Sequence, residues 1–248
     1  KKGSQNAAFG SNHTIDGARN TVAGNYAIIY GSDDNFIAGA NNYAAGTDRS
    51  IVFGSKNTGS ASVANTILGG ASNKISYTAH SLIIGQKNNI SHFAVYASGY
   101  RNINSIIAGA GNKVLSDSST RTRNNLILGF SSSLTTSENS LLAGSHNTIY
   151  KVKNATLFGS GNIAINNDPS NFYDNTNNQT VVGTFNASDN SNNYLLIVGN
   201  GNNSGDRSNL AEFHKDKIIL DTGSLPTSDP NNVGQLWRDG TDLKISLG

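Results

Sequence analysis

The chain has 248 residues, of which 36% are hydrophobic and only 14% charged, with a formal charge of +2 and no cysteine. Disulfide staples and cysteine-based metal sites are therefore excluded, and without a Lys/Arg block nucleic acid has no electrostatic footprint. No apolar run approaches the length that spans a bilayer as a helix, and a charge content well below the usual quarter or so calls for a surface that is polar but uncharged.

From its first residues the chain repeats one pattern. A glycine stands about every fifteen residues behind a short aliphatic run: Gly10, Gly24, Gly39, Gly54, Gly69, Gly85, Gly99, Gly109, Gly129, Gly144, Gly159, Gly183 and Gly199. A fixed short period marks an array of one small unit rather than a globule around one centre. Three clean units are NTILGGASNKIS (65–76), SLIIGQKNNISH (81–92) and NSLLAGSHNTIY (139–150). The aliphatic runs are too short for helices and carry β-formers, so they predict strands. The glycine is expected to turn the chain after the strand. The following Asn is expected to take the left-handed region and cap the corner. The next apolar residue (Ile15, Ile75, Ile90, Val114, Leu134, Ile149) opens a second short strand.

One unit thus reads as two strands and two corners. Stacked units make an all-β parallel β-roll (β-solenoid) of ~15-residue coils, with about twelve to thirteen coils in a rod of roughly 60 Å. So thin a roll leaves an apolar face and open strand edges, which copies of itself would cover. The expectation is an oligomer, three-fold if the molecule is a fibre.

The period breaks twice, at 116–124 (SDSSTRTRN) and 165–179 (INNDPSNFYDNTNNQ). Insertions in solenoids become loops on one face, often the binding face. Phe172, Tyr173 and Asp174 suit a sugar, with rings to stack and polar groups for hydroxyls, or else the rings pack back on the roll or a neighbour. Arg121 and Arg123 suit a phosphate-bearing polymer or are simply solvated. Equivalent positions stack, so His92, Tyr96, Tyr100, Arg101 and His146 read as a lateral structural ladder. Asp33-Asp34 resembles a carboxylate pair for glycoside cleavage, but adjacent strand residues face opposite ways, and with Asn35 a corner is the simpler reading. LLIVGNGNNSG (195–205) imitates a dinucleotide fingerprint but has Ser204 in place of the third glycine and no helix after it. No cofactor, no metal ligand set and no catalytic residues are assigned.

Near the end, YLLIVGNGNNSGDRSNLAEFHKDKIILD (194–221) leads into LPTSDPNNVGQLWRDGTDLKISLG (225–248). Pro226 and Pro230 bracket an extended link. Gln235-Leu236-Trp237 and Leu243-Lys244-Ile245 alternate like strands about a turn at Arg238-Asp239-Gly240-Thr241, with glycine where positive φ is wanted. So small a hairpin is unstable alone, and Leu236, Trp237, Leu243 and Ile245 are expected to pack three copies together at a tip. The chain divides into a roll (1–205), a junction (206–224) and a C-terminal β-hairpin tip (225–248).

These repeats resemble the head of YadA-type trimeric autotransporter adhesins over roughly residues 5–200, although this chain is richer in Asn, Ile and Leu. That resemblance implies a left-handed parallel β-roll that trimerises. Gly199, Gly201, Arg207, Ser208, Asn209 and Lys215 are similar to a junction that follows such repeats in phage tail fibres. Leu225 to Pro230, Gly234, Leu236, Trp237, Gly240, Leu243, Lys244, Ile245 and Ser246 resemble an ending of tailed-phage structural proteins. The resemblance implies a virion tail fibre or receptor-binding protein. Its partners would be a host surface glycan or outer-surface protein and further virion proteins ahead of Lys1, with neither nucleic acid bound nor a membrane entered. Alternatives are a capsid or neck decoration fibre, a bacterial adhesin head and a polysaccharide depolymerase.

Overall fold

A computed structural model describes residues 5–61, 67–92, 102–116, 122–165, 178–187 and 194–248. Over these residues the chain is all-β, with a single short 3-10 turn at Thr222–Ser224. Long and short strands alternate. The five-residue strands, such as Thr21–Asn25, Phe36–Ala40 and Ile51–Ser55, stack into one sheet of fourteen strands, of which the first twelve run parallel. The three-residue strands, such as Ile28–Tyr30 and Tyr43–Ala45, stack into a second parallel sheet of ten. This is a β-solenoid of about ten turns in which both sheets are present, with twelve parallel rungs in the long-strand sheet, and roughly 50 Å long at the ordinary interstrand spacing.

In-register stacking turns each position of the repeat into a column. The second residue of the five-residue strands and the second residue of the short strands point inward: Val22, Ile37, Val52 and Leu68 in the long-strand sheet, Ile29, Ile75 and Ile90 in the short-strand sheet, all at most 2% exposed. Each turn therefore has two aliphatic core residues, worth about 1.5–3 kcal/mol apiece when fully buried.

Each coil has three corners, not two. Left-handed residues recur at Tyr26 (φ 53), Asn41 (56) and Lys56 (56), at Gly31 (56), Gly46 (59) and Ala61 (46), and at Arg19 (56), Asp34 (59) and Arg49 (53). The third side is so short that it pairs only in fragments, as at Thr78–Ala79, Asn102–Ile103 and Thr122–Arg123. The extra corner was hidden because it needs no special residue: lysine, tyrosine and arginine all occupy left-handed corners here.

Nor does the recurrent glycine make the turn. It is the fourth residue of the long strand, and the left-handed corner lies two residues beyond it. A Cβ built on Gly129 (φ +139) would lie 1.8 Å from the Gly144 carbonyl oxygen of the next coil. The glycines are required because two backbones meet there. The column takes Gly70, not Gly69: Gly54 pairs with Gly70, and Gly69 lies under the Phe53 ring. Gly99 falls outside the described residues, and Gly85 pairs directly with Gly109. Three coils are therefore wide, those from Gly85 to Gly109, Gly109 to Gly129 and Gly159 to Gly183, where the sequence suggested two.

The asparagine three places after the glycine also differs from expectation. It points inward and runs a ladder. Asn73 Nδ2 donates to the Gly69 carbonyl at 2.7 Å and to the Gly85 carbonyl of the next coil at 2.9 Å, while its Oδ1 accepts the Asn88 N–H at 3.0 Å. Asn42, Asn57, Asn88, Asn112, Asn147 and Asn162 repeat the link to the following coil, and all are essentially fully buried. A second ladder precedes the long strands, where Asn20 and Asn35 Oδ1 accept the N–H groups of Asn35 and Ser50. The ladders satisfy buried backbone groups that a three-cornered coil would otherwise orphan.

The end of the roll is a built cap. Tyr194–Asn200 is the last parallel strand, and Asn209–His214 pairs with it antiparallel, followed by Ile218–Leu220. Arg207 Nη1 donates to the Gly161 carbonyl at 2.7 Å, with its guanidinium 5.7 Å from the Phe185 ring centroid. Asn209 continues the ladder by accepting the Ala187 N–H at 2.8 Å. Beyond it, Leu236–Asp239 pairs antiparallel with Asp242–Ile245 around Gly240-Thr241.

Two stability outcomes follow from the columns. Gly129→Ala is expected to cost about 4 kcal/mol or more, among the largest single-site losses. Gly31→Ala, at a left-handed corner with nothing within 4 Å of the new Cβ, should cost only about 1 kcal/mol. Urea denaturation of both variants reads the difference. Ser132 stands in the asparagine column and makes a weaker link, its Oγ accepting the Asn147 N–H at 3.3 Å. Ser132→Asn restores donors for the Leu128 and Gly144 carbonyls and should add about 1 kcal/mol in the same assay.

Candidate functional site

The surface of the solenoid is set by the same columns. In the long strands the residues flanking the core position point outward. Phe36, Ile51, Phe53, Ile84, Ile106 and Leu128 are 40–44% exposed there, and the apolar strip runs from coil to coil along the rod. The short-strand sheet faces outward with mostly polar residues, among them Thr58, Lys74, Lys113, Ser133 and Thr148. On its early coils it differs: Tyr26, Ile28, Tyr30 and Tyr43 are 58%, 43%, 63% and 38% exposed. No reading of the sequence singled these tyrosines out. Once the register is known, the signal is plain: they occupy outward columns where the next coils carry Thr, Ser and Lys, and large apolar residues return there only later, as at Leu115, Tyr150, Ile163 and Ile165.

Of the residues expected to contact a receptor, Phe172, Tyr173, Asp174 and Arg121 lie outside the described residues. Arg123 is on the short third side, where its Nε donates to Glu138 Oε1 at 3.0 Å. That ion pair commits part of its charge within the chain. Of the supposed lateral ladder, Tyr96, Tyr100 and Arg101 are also outside the described residues, and for His92 only the backbone, in the strand Asn89–His92, is described. His146 sits at a left-handed corner and meets the Phe130 ring edge-on, with centroids 5.4 Å apart. It is a contact between neighbouring coils.

Asp33 and Asp34 make a corner, as the simpler reading had it. Asp34 has φ 59 and pairs with Arg19, Nε to Oδ1 2.5 Å, and that hydrogen bond holds its carboxyl below the ordinary range. Asp33 Oδ1 accepts the Ala18 N–H, and the Asp33 N–H donates to Asp48 Oδ1. Both carboxylates are occupied by links between coils. An exposed amide ladder continues this edge: Asn104, Asn124, Asn139 and Asn154 each donate to the next, ending on Asn178. Among the described residues no group of three or more His, Cys, Asp or Glu is placed to hold a metal ion. No helix among them is long and apolar enough to cross a membrane.

The C-terminal strand pair splits the expected packing set. Leu236 faces Ile245 and Arg238 faces Leu243 across the ladder, so Leu236, Leu243 and Ile245 share one face. Trp237 pairs with Lys244 on the other, its ring 5.3 Å from Nζ. Trp237 Nε1 and Arg238 Nε are buried with no hydrogen-bond partner. The buried Ser246 hydroxyl ties the segment together: it donates to Asp229 Oδ1 at 2.5 Å and accepts the Asn232 N–H at 3.1 Å. The chain matches no protein-family model and no curated protein sequence. Its columns and faces therefore carry the functional argument.

The Ser246 hydroxyl and the Asn231 N–H hold the Asp229 carboxyl below its ordinary range. A carboxylate whose folded pKa is depressed contributes stability that is present above its unfolded value, about 3.9, and is lost as pH falls through the folded value. Trp237 is the single tryptophan, so its fluorescence reports this segment alone. An acid titration should show a Trp237 transition below about pH 4. Asp229→Asn should remove most of that pH dependence, and an unchanged transition would rule out Asp229 as its source.

Proposed function

We propose that this chain belongs to a homotrimeric external fibre of a tailed phage, and that it works by adhesion to a bacterial surface glycan or outer-surface protein, without catalysis. The observation that carries the reading is the apolar strip of the long-strand sheet. Monomers rarely expose a contiguous apolar patch above a few hundred Å². A strip tens of ångströms long on a stiff rod is suited to burial against parallel copies of itself. Three strips meeting on an axis would supply the wide core that two aliphatics per turn cannot. The polar short-strand face and the corners then remain outward, where a repeated uncharged surface suits contact with sugars and polar protein surfaces. The similarity of the C-terminal segment to tailed-phage endings favours a virion fibre. In that setting Leu236, Leu243 and Ile245 supply the apolar face for three-fold packing at the tip, and Trp237 lies on the opposite face.

Native mass by light scattering tests the assembly. A trimer is expected, and a well-behaved monomer would overturn the reading. Phe53→Glu with Leu128→Glu places charge on the strip and should give monomers with the same β-sheet circular dichroism. Binding of the labelled chain to bacterial cells tests adhesion separately.

A further inference from the structure

The tyrosines on the short-strand face form a site of their own. Ile28 pairs with Tyr43 and Tyr30 with Ala45 in the next coil, so Tyr30 and Tyr43 are diagonal neighbours, about 7–8 Å apart. Tyr26 stands at the adjoining corner, in the column between Asn12 and Asn41, both exposed. On the far side of Tyr30 the corner is Gly31, where an added Cβ would meet nothing within 4 Å. The rings thus stand on a rigid sheet with amides on one flank and open space on the other.

Two properties distinguish this patch from the strip that faces other copies. It is local: its columns continue as Thr58 and Ser60 in the next coil, whereas the strip stays apolar along the rod. It is also nearly uncharged. Across the first three coils its outward columns hold one ionisable acid, Asp16, and no Lys or Arg. Among the described residues those columns offer a polyanion no cation to pair with.

We infer that Tyr26, Tyr30 and Tyr43 form a binding platform for a neutral oligosaccharide. The rings receive the apolar faces of successive sugars, and Asn12 and Asn41 hydrogen-bond their hydroxyls. Tyrosine suits this role because it combines an apolar body with a polar tip at low entropic cost. The inference deepens the adhesion reading and rests on it for its biological setting, while the chemistry of the platform can be measured alone.

The test is saturation-transfer NMR on the whole chain with maltohexaose, cellohexaose and chitohexaose, and with polygalacturonate as the acidic comparison. At least one neutral oligosaccharide should bind, and Tyr30→Ala with Tyr43→Ala should weaken it by roughly tenfold or more, with mass and circular dichroism unchanged. Asn41→Gly removes the flanking amide without straining its left-handed corner and should weaken binding severalfold. Should the tyrosine variant fail to fold, this glycine variant decides. The site is wrong if none of the three neutral sugars binds, if polygalacturonate binds best, or if the variants bind as well as the parent chain. Cell binding separates the two readings. If the parent and the tyrosine variant adhere equally, the platform fails and adhesion stands. If the sugar binds but no cell does, adhesion fails and the platform stands.

Discussion

One contact between backbones governs the molecule. From Gly10 to Gly183 the glycine of each described long strand lies so close to its counterpart that a Cβ would sit 1.7–2.1 Å from the next carbonyl oxygen. The same carbonyl is an acceptor for the asparagine ladder. A Cβ on Gly109 would strike the Gly129 oxygen, and Asn112 Nδ2 donates to that oxygen at 2.9 Å. Glycine and the asparagine three residues later are therefore one device. The first opens a carbonyl to approach, and the second closes the bond across coils. Either alone would leave a buried acceptor orphaned or blocked, which is why the two recur together.

The polar interior follows from that device. A triangular coil of about fifteen residues encloses too little volume for a conventional apolar core, so each coil devotes two inward positions to aliphatics and fills the corners with amides and hydroxyls. Buried amides are favourable when every donor and acceptor is met, and the translational repeat meets them by construction: each asparagine finds in the next coil what the previous one found in its own. Exceptions are graded rather than random. Ser132 keeps an acceptor for the next N–H but gives up the amide donors. Ala27, in the same column, donates its N–H to Nδ1 of the preceding His13 ring and has no side-chain acceptor to offer onward. Low charge is a consequence too, because a charged side chain at an inward corner would face carbonyl oxygens or N–H groups of fixed number and direction.

Much of the architecture was legible as periodicity. The glycine spacing and the aliphatic runs give strands, stacking and parallel register, because in-register repeats need identical residues at identical places. The corners were less legible. A left-handed residue flanked by ladder hydrogen bonds tolerates Lys56, Tyr77 or Arg49, so the usual preference for glycine and asparagine is overridden and the third corner leaves no mark. The doublet Gly69-Gly70 could be resolved only by register, since either glycine fits behind TIL. The wide coil after Gly85 was masked by Gly99, a glycine at nearly the expected interval, whereas the partner of Gly85 is Gly109. The tyrosine platform was hidden for the same reason. Tyr26, Tyr30 and Tyr43 are scattered in sequence, at two different positions of the short strand and one corner, and only the column arithmetic of a three-cornered coil brings them to one face.

That three-cornered section also separates tasks by side. On the proposed assembly the long-strand strip is consumed between chains, so whatever binds must bind on the short-strand side or at the corners. There the middle coils are mostly polar, single large apolar residues such as Tyr150 and Ile165 stand on the later ones, and the early coils group three tyrosine rings where threonine and serine follow. A single shallow platform of three rings is a weak site by itself, since little of a sugar chain is enclosed. Three-fold symmetry would present it on three sides of a rigid shaft, and several shafts on one particle would raise the effective concentration of every unoccupied platform without adding a contact. Stiffness is what makes this addition possible. The glycine–asparagine device fixes each coil against the next, so the platforms keep their spacing along the shaft, and binding at one leaves the others oriented toward the same surface.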